Sequence, residues 1–557
     1  MMMSSLAAAA LGLVVSPSSF GAAGDGSRDD STALQAALDH VAGRGGGTVR
    51  ADGRFRLDRP IFVPDDCSLE GGYKYAPAHV GSAITFNPMD PTRYHSISNH
   101  SVLLGYYGRG QADGSALVSV GSNAALLGVV IFYPEQSPFA EPTAYPFAID
   151  LCSEAQRRTQ QTPSKAGPGY NATPAYTSIA CTNPAVMDVE LVNAYQGVRA
   201  VFAPRYLIAR VMGQPLLTGI LSSRIFDIGR IEDVHFYSYW ASTDVVLSFQ
   251  RTHGCGFAFG RNDWAMVRNT FAWAYARAYR FYADPDLPHA TGDAHGWVGG
   301  CTSGQMAGIT ADFAVHAVHG ECFQNEGVQI THAEFTAFEN ADHAGGDIDT
   351  VPAAVYTEQT TTGVLRISNS AMFGPGAIGA LRPGRHTVTP SQHSVVRLQG
   401  RDEQVYLEGV HLMQWNNSND GPGSASDTPL VDVAGSGQYS LTASSLMATH
   451  PATAVRIGAD VNSAVVMGNT LCAGRGVVNE AVVGSAAPAA ITPEGSTVTA
   501  AITSSSAASR TYDHVSIGLN VVPRRPPRPL ERDHKGKMRW SLWRTESETR
   551  FGVRHAE

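Results

Sequence analysis

Two acidic residues stand where acids are uncommon. Asp312 in ITADFAV and Glu334 in ITHAEFTAF each interrupt an apolar, strand-like pattern, and they lie 22 residues apart. A carboxyl among apolar neighbours has its pKa raised, as a general acid requires. Cleavage of a glycosidic bond by water needs two carboxyls flanking that bond, roughly 5–5.5 Å apart for retention and further for inversion. Asp263 in GRNDW is a third candidate. The competing reading for each is a turn acid that binds backbone N–H groups.

The stretch from Arg261 to Trp297 is rich in rings and guanidiniums. Phe271, Trp273, Tyr275, Tyr279 and Phe281 fall on odd positions, with Arg261, Arg268, Arg277 and Arg280 interleaved. Period two predicts a strand with one aromatic face. Ring faces stack on sugars and Arg forks recognise carboxylates. The expected binding residues are Arg261, Trp264, Arg268 and Trp273, with His235 and Trp240 of EDVHFYSYW assisting. Core rings are the plain alternative. An elimination mechanism would need a base, and outside the C-terminal tail the only lysines are Lys74 and Lys165, so Arg261 or Arg268 would have to serve. Asp342, Asp347 and Asp349 form a loop that could suit calcium, but their spacing fits a solvated turn better. No cofactor and no metal is expected.

Composition narrows the partners. The 557-residue chain has a net charge of −9. Its tail from Arg524 onward holds 10 basic and 5 acidic residues of the chain's 40 and 49, which leaves −14 for the body. A body that acidic is a poor partner for nucleic acid. Seven scattered cysteines include no CxxC pair, which speaks against a zinc site; they allow one or two disulfides in an exported protein, and buried free thiols are an equal reading. Residues 1–19, MMMSSLAAAALGLVVSPSS, read as a signal peptide and so as export, although no basic residue precedes the apolar run. No later run is long enough to cross a membrane as a helix.

The elements that must position these groups are short and repetitive. In FGAAGDGSRDDSTALQAALDHVAGRGGGTV, Asp29 and Asp30 favour a helix start. Leu34, Ala37, Leu38 and Val41 give that helix one apolar face, and glycines end it. Thereafter the chain is β: segments such as RIEDVHFY, GVQITHAEF and GVLRISNSAMFG pair apolar alternation with a short polar turn. They recur every 20 to 40 residues or so, the range of solenoid repeats, without the long helices of a βαβ fold. A coil of three strands stacked many times fits, with the opening helix as a cap over the first sheet edge. Residues 20–522 are read as this one domain and 523–557 as a flexible Pro/Arg-rich tail.

The opening stretch and the pattern through SLEGG closely resemble the N-terminal signature of the pectate-lyase-like superfamily. The resemblance covers about residues 18–72 and implies an all-β, right-handed parallel β-helix. Later segments, such as RIEDVHFYSYW and RISNSAMFGPGA, look like those of proteins related to family-28 glycoside hydrolases, with tailspike-like relatives. The polygalacturonase patterns NTD, GHG and RIK are absent, so no catalytic residue is carried over. The expectation is a secreted polysaccharide-cleaving enzyme, most simply a hydrolase. A uronate lyase and a non-catalytic glycan-binding protein, monomeric or trimeric, are the alternatives.

Overall fold

A computed structural model describes residues 12–72, 101–156, 181–285, 300–339, 351–377, 393–414, 428–448, 453–472, 475–479, 498–503 and 514–521. The tail, the aspartates at 342, 347 and 349, and residues 1–11 of the expected leader lie outside these. From residue 12 the leader region is built into the fold: Val14 and Val15 pair with Thr48 and Val49.

The architecture is a parallel β-helix. Three ladders run its length, and every pairing among the described strands is parallel except Val498–Thr503 with His514–Val521. Two ladders share one bent sheet of 24 strands, and the third forms a sheet of 13. One coil shows the pattern. Strand Asn262–Trp273 serves the first ladder, bends, and serves the second; strand Arg277–Phe281 then joins the third.

The bend has a simple cause. Successive coils place one residue in the left-handed region at the same register position, as at Asp188, Arg210, Asp233, Asn269 and Gly308. Asn, Asp and Gly enter that region at least cost. The side chains also bond along the column: Asn269 Nδ2 donates to Asp233 Oδ1 at 3.1 Å. These are the short polar turns that recur in the sequence.

Inside, rings stack from coil to coil. Phe257 lies 4.9 Å from Tyr279 with planes 5° apart, and Phe259 lies 5.4 Å from Phe281. All four are fully buried, each worth about 1.5–3 kcal/mol in removed apolar surface.

Helix Ser31–Ala42 buries Leu34, Ala37, Leu38 and Val41, as its pattern requires. Asp29 accepts from the Ser31 N–H at 3.0 Å at its start. Asp30 does not cap the helix; its carboxylate turns back to the N–H groups of Ala23 and Gly24. Gln35 reaches strand Ile61–Val63, the first of the third ladder. Phe62 N–H donates to Gln35 Oε1 at 2.8 Å, and Gln35 Nε2 donates to Phe62 O at 3.0 Å.

Candidate functional site

The aromatic stretch does not make one face. Ala274 takes a left-handed conformation (φ 61°) and turns the chain. Before the turn, Phe271 and Trp273 face outward on the second ladder; after it, Tyr275, Tyr279 and Phe281 are fully buried in the core. Period two held in the sequence but not in space.

The outward rings of neighbouring coils meet. His235 is in register with Phe271, their centroids 4.6 Å apart. Tyr237 lies 4.9 Å from Trp273, and Trp273 lies 5.8 Å from Phe313. Phe313 stacks on Phe338 at 4.1 Å with planes 5° apart. Helix Asp244–His253 borders this wall: Gln250 Nε2 donates to Trp273 O at 3.0 Å, and the Arg251 guanidinium lies 5.8 Å from the Trp273 ring.

The wall ends at two carboxyls. Asp312 is the register partner of Trp273 on the next coil. Glu334 is the register partner of Thr310 one coil further, so it sits diagonally from Asp312 on the same outward face. Strand spacings of ~4.8 Å across and ~3.3 Å per residue put their Cα atoms about 8 Å apart. Burial among the rings pushes the Asp312 carboxyl up to about 6; the Phe313 N–H bond opposes this, and the Glu334 charge adds to it. Glu334 is exposed.

The other expected residues lie elsewhere. Asp263 and Trp264 are near the start of the first ladder's strand, about 30 Å of extended chain from Trp273 and beyond the corner at Asn269. Arg261 Nη2 pairs with Asp263 Oδ1 at 2.8 Å, and their side chains are only 5% and 16% exposed. Gln324 Nε2 adds a bond to Asp263 at 3.0 Å. Arg268 lies on the first ladder's outer face and bonds Glu232 at 2.6 Å, which raises its pKa. That is the wrong direction for a base. Trp240 is buried in a small apolar cluster and offers no face to a ligand. Of the expected set, the structure brings together Asp312, Glu334, Trp273 and His235.

A second concavity lies on the first ladder. A groove of about 500 Å³ runs along the in-register column Gln305, Gln329, Arg366 and Tyr406. The Arg366 guanidinium lies 5.2 Å from the Tyr406 ring.

The sequence reading missed a third cluster, on the outer side of the third ladder. His316, His319 and Glu321 come from one strand and its end, Arg277 and Arg280 from the preceding coil, and Glu358 from the following one. The local signal was the spacing HAVHGE at 316–321; Glu358, 39 residues beyond His319, left no local trace. His319 Nε2 and oxygens of Glu321 and Glu358 lie within 4.8 Å of one another, a spacing a divalent ion could bridge. Glu321 Oε1 already accepts from Arg280 Nε at 2.5 Å, and the nearby guanidiniums repel a cation.

No family model matches the chain. No curated protein matches it either. Among solved structures, the chain is similar to the A-module of a mannuronan C-5 epimerase from Azotobacter vinelandii, with 11% identity, 84% of this chain and 95% of that one covered, and a TM-score of 0.40. A tailspike protein of E. coli bacteriophage HK620 in complex with a hexasaccharide gives 12% identity, 84% and 78% coverage, and a TM-score of 0.43. An exopolygalacturonase from Thermotoga maritima gives 12%, 84% and 92%, and 0.31. The fold expected from the opening stretch, a parallel β-helix, is the fold observed.

Proposed function

We propose that the protein is an exported enzyme that hydrolyses a polysaccharide on the outer face of the second ladder. One observation carries the reading: an aromatic wall leads directly to a carboxyl whose pKa is raised to about 6, with a second, exposed carboxyl diagonal to it. Asp312 in its protonated form gives its proton to the leaving glycosidic oxygen. Glu334 in its ionised form takes a proton from the attacking water. The separation of the two carboxyl groups decides the stereochemistry, roughly 5–5.5 Å for retention and 6.5–9.5 Å for inversion. Trp273, Tyr237 and His235 supply the sugar-stacking surface. Elimination through Arg268 or Arg261 is disfavoured because each guanidinium is held in an ion pair. The disulfides Cys152–Cys181 and Cys301–Cys322 suit an oxidising, extracytoplasmic setting.

Binding without cleavage is the second reading, favoured by the polar groove of Gln305, Gln329, Arg366 and Tyr406, whose lining includes neither Asp312 nor Glu334. The test is incubation with a panel of neutral and uronic-acid polysaccharides, reading new reducing ends and unsaturated-uronate absorbance. Reducing ends without absorbance support hydrolysis. Absorbance would replace it with elimination, and saturable binding without product would leave the groove as the functional surface.

A further inference from the structure

The third-ladder cluster contains a chain of four hydrogen-bonded groups. Val351 O lies 2.8 Å from His316 Nε2, His316 Nδ1 lies 2.8 Å from His319 Nδ1, and His319 Nε2 lies 3.0 Å from Glu358 Oε1. Both rings are buried, at 0% and 1% exposure, and His316 stacks on Tyr356 at 4.3 Å.

Counting protons along this chain constrains its charge. A carbonyl only accepts, so His316 Nε2 must carry a proton. The two Nδ1 atoms must share one proton between them. The bond to Glu358 also needs one, on His319 Nε2 or on the carboxyl. That makes three protons, one more than two neutral imidazoles and a carboxylate possess. Three arrangements satisfy every contact. In the first, His316 is an imidazolium and Glu358 a carboxylate. In the second, both rings are neutral and Glu358 is protonated. In the third, His319 is the imidazolium and Glu358 a carboxylate. Burial, then the charges of Arg277 and Arg280, hold His319 well below the usual imidazole range and set the third aside. The first two differ by the concerted shift of two protons.

The outer end of the chain is accessible. The Glu358 side chain is 41% exposed, whereas that of His319 is 2% exposed. Beside it, Glu321 stands 3.6 Å from His319 Nε2 and is held by Arg280. Arg277 lies in register between Cys255 and His316. Its Nε is buried without a hydrogen-bond partner, and burial lowers its pKa. The Cys255 thiol, pushed up to about 11 by burial, is neutral and gives Arg277 no counter-charge.

We propose that Glu358, His319 and His316 form a proton-holding relay at a second site, which gives a proton through Glu358 to an acidic saccharide whose carboxylate is received by Arg277. The transfer balances within the site. Glu358 passes its proton to a carboxylate oxygen of the ligand, no other bond forms or breaks, and the proton returns to Glu358 when the ligand departs. The site is separate from Asp312 and Glu334 and stands or falls independently of them.

The test uses the full chain labelled with 15N-histidine. From about pH 6 to 8, His316 Nε2 is expected to be protonated, and one proton is expected to bridge the two Nδ1 nitrogens. An unprotonated His316 Nε2, or no bridging proton at pH 7, would overturn the relay. Trigalacturonate should shift the His319 signals and maltotriose should not. Arg277→Leu should weaken the trigalacturonate response at least about tenfold, equivalent to 1.4 kcal/mol, and Arg277→Lys should retain most of it. Circular dichroism checks both folds. Unmoved His319 signals with either sugar would overturn the ligand assignment. Tight zinc binding that shifts His319 would replace the relay with a metal site.

Discussion

The outer faces of the second and third ladders each hold a pair of carboxyls on the same repeating backbone, yet they treat charge in opposite ways. Around Asp312 the neighbours are rings, so the ion loses hydration and gains little in return; the proton stays on up to about pH 6. At the third ladder Arg280 gives Glu321 a counter-charge, and His319 shares a proton with Glu358. The β-helix presents side chains at fixed spacing, and what each can do is decided by which residues stand one coil above and below.

The comparison breaks most directly at the carboxyls of the second ladder. Asp312→Asn and Glu334→Gln should each lower kcat by about 10²–10⁴-fold with an unchanged circular dichroism spectrum. Activity near wild type in both variants would remove the second ladder as the hydrolytic face.

Asp263→Ala sharpens it from the other side. Removing the carboxylate takes an ion-pair partner from the buried Arg261 guanidinium, so stability should fall by about 3 kcal/mol in urea unfolding, while kcat of the folded protein stays unchanged. A large loss of kcat would return Asp263 to the catalytic set.

A smaller effect comes from pH. The folded-state pKa of Asp312 is raised above the usual 3.8 to about 6, so its ionisation opposes folding. The stability present below about pH 4 is lost as pH rises through 6. Asp312→Asn should therefore match wild type near pH 3.5 and exceed it at pH 7.5, by about 1 kcal/mol once solvent screening is allowed for. The same titration places the alkaline limb of kcat/KM near pH 6. Thermal melts and a pH–rate profile check the two.

The smallest change is expected at Trp264, which is 61% exposed and remote from both faces. Trp264→Ala should move stability by less than about 0.5 kcal/mol and leave KM unaltered. A marked rise in KM would extend the binding surface onto the first ladder.

Much of the fold was legible because its rule is local. In RIEDVHFY the apolar alternation breaks at Asp233, and Asp233 is the left-handed corner. Asp312 and Glu334 were legible as acids inside apolar strands, though the register makes them diagonal neighbours instead of direct ones. The aromatic face was misread because alternation continues through Ala274 while the backbone turns there. Trp240 was misread because only tertiary packing decides whether a ring is covered. The histidine relay was hidden because Glu358 arrives from another coil.

The corner column has a consequence for how such a chain changes over generations. Asp188 and Arg210 are 22 residues apart and joined by a bidentate ion pair at 2.8 Å, whereas Asp233 and Asn269 are 36 apart and occupy the same column. Extra length is accommodated between corners without altering register. A turn of the helix is thus a unit that recombination can duplicate, lose or lengthen, and new chemistry enters as an inserted segment while the scaffold beneath keeps its alignment.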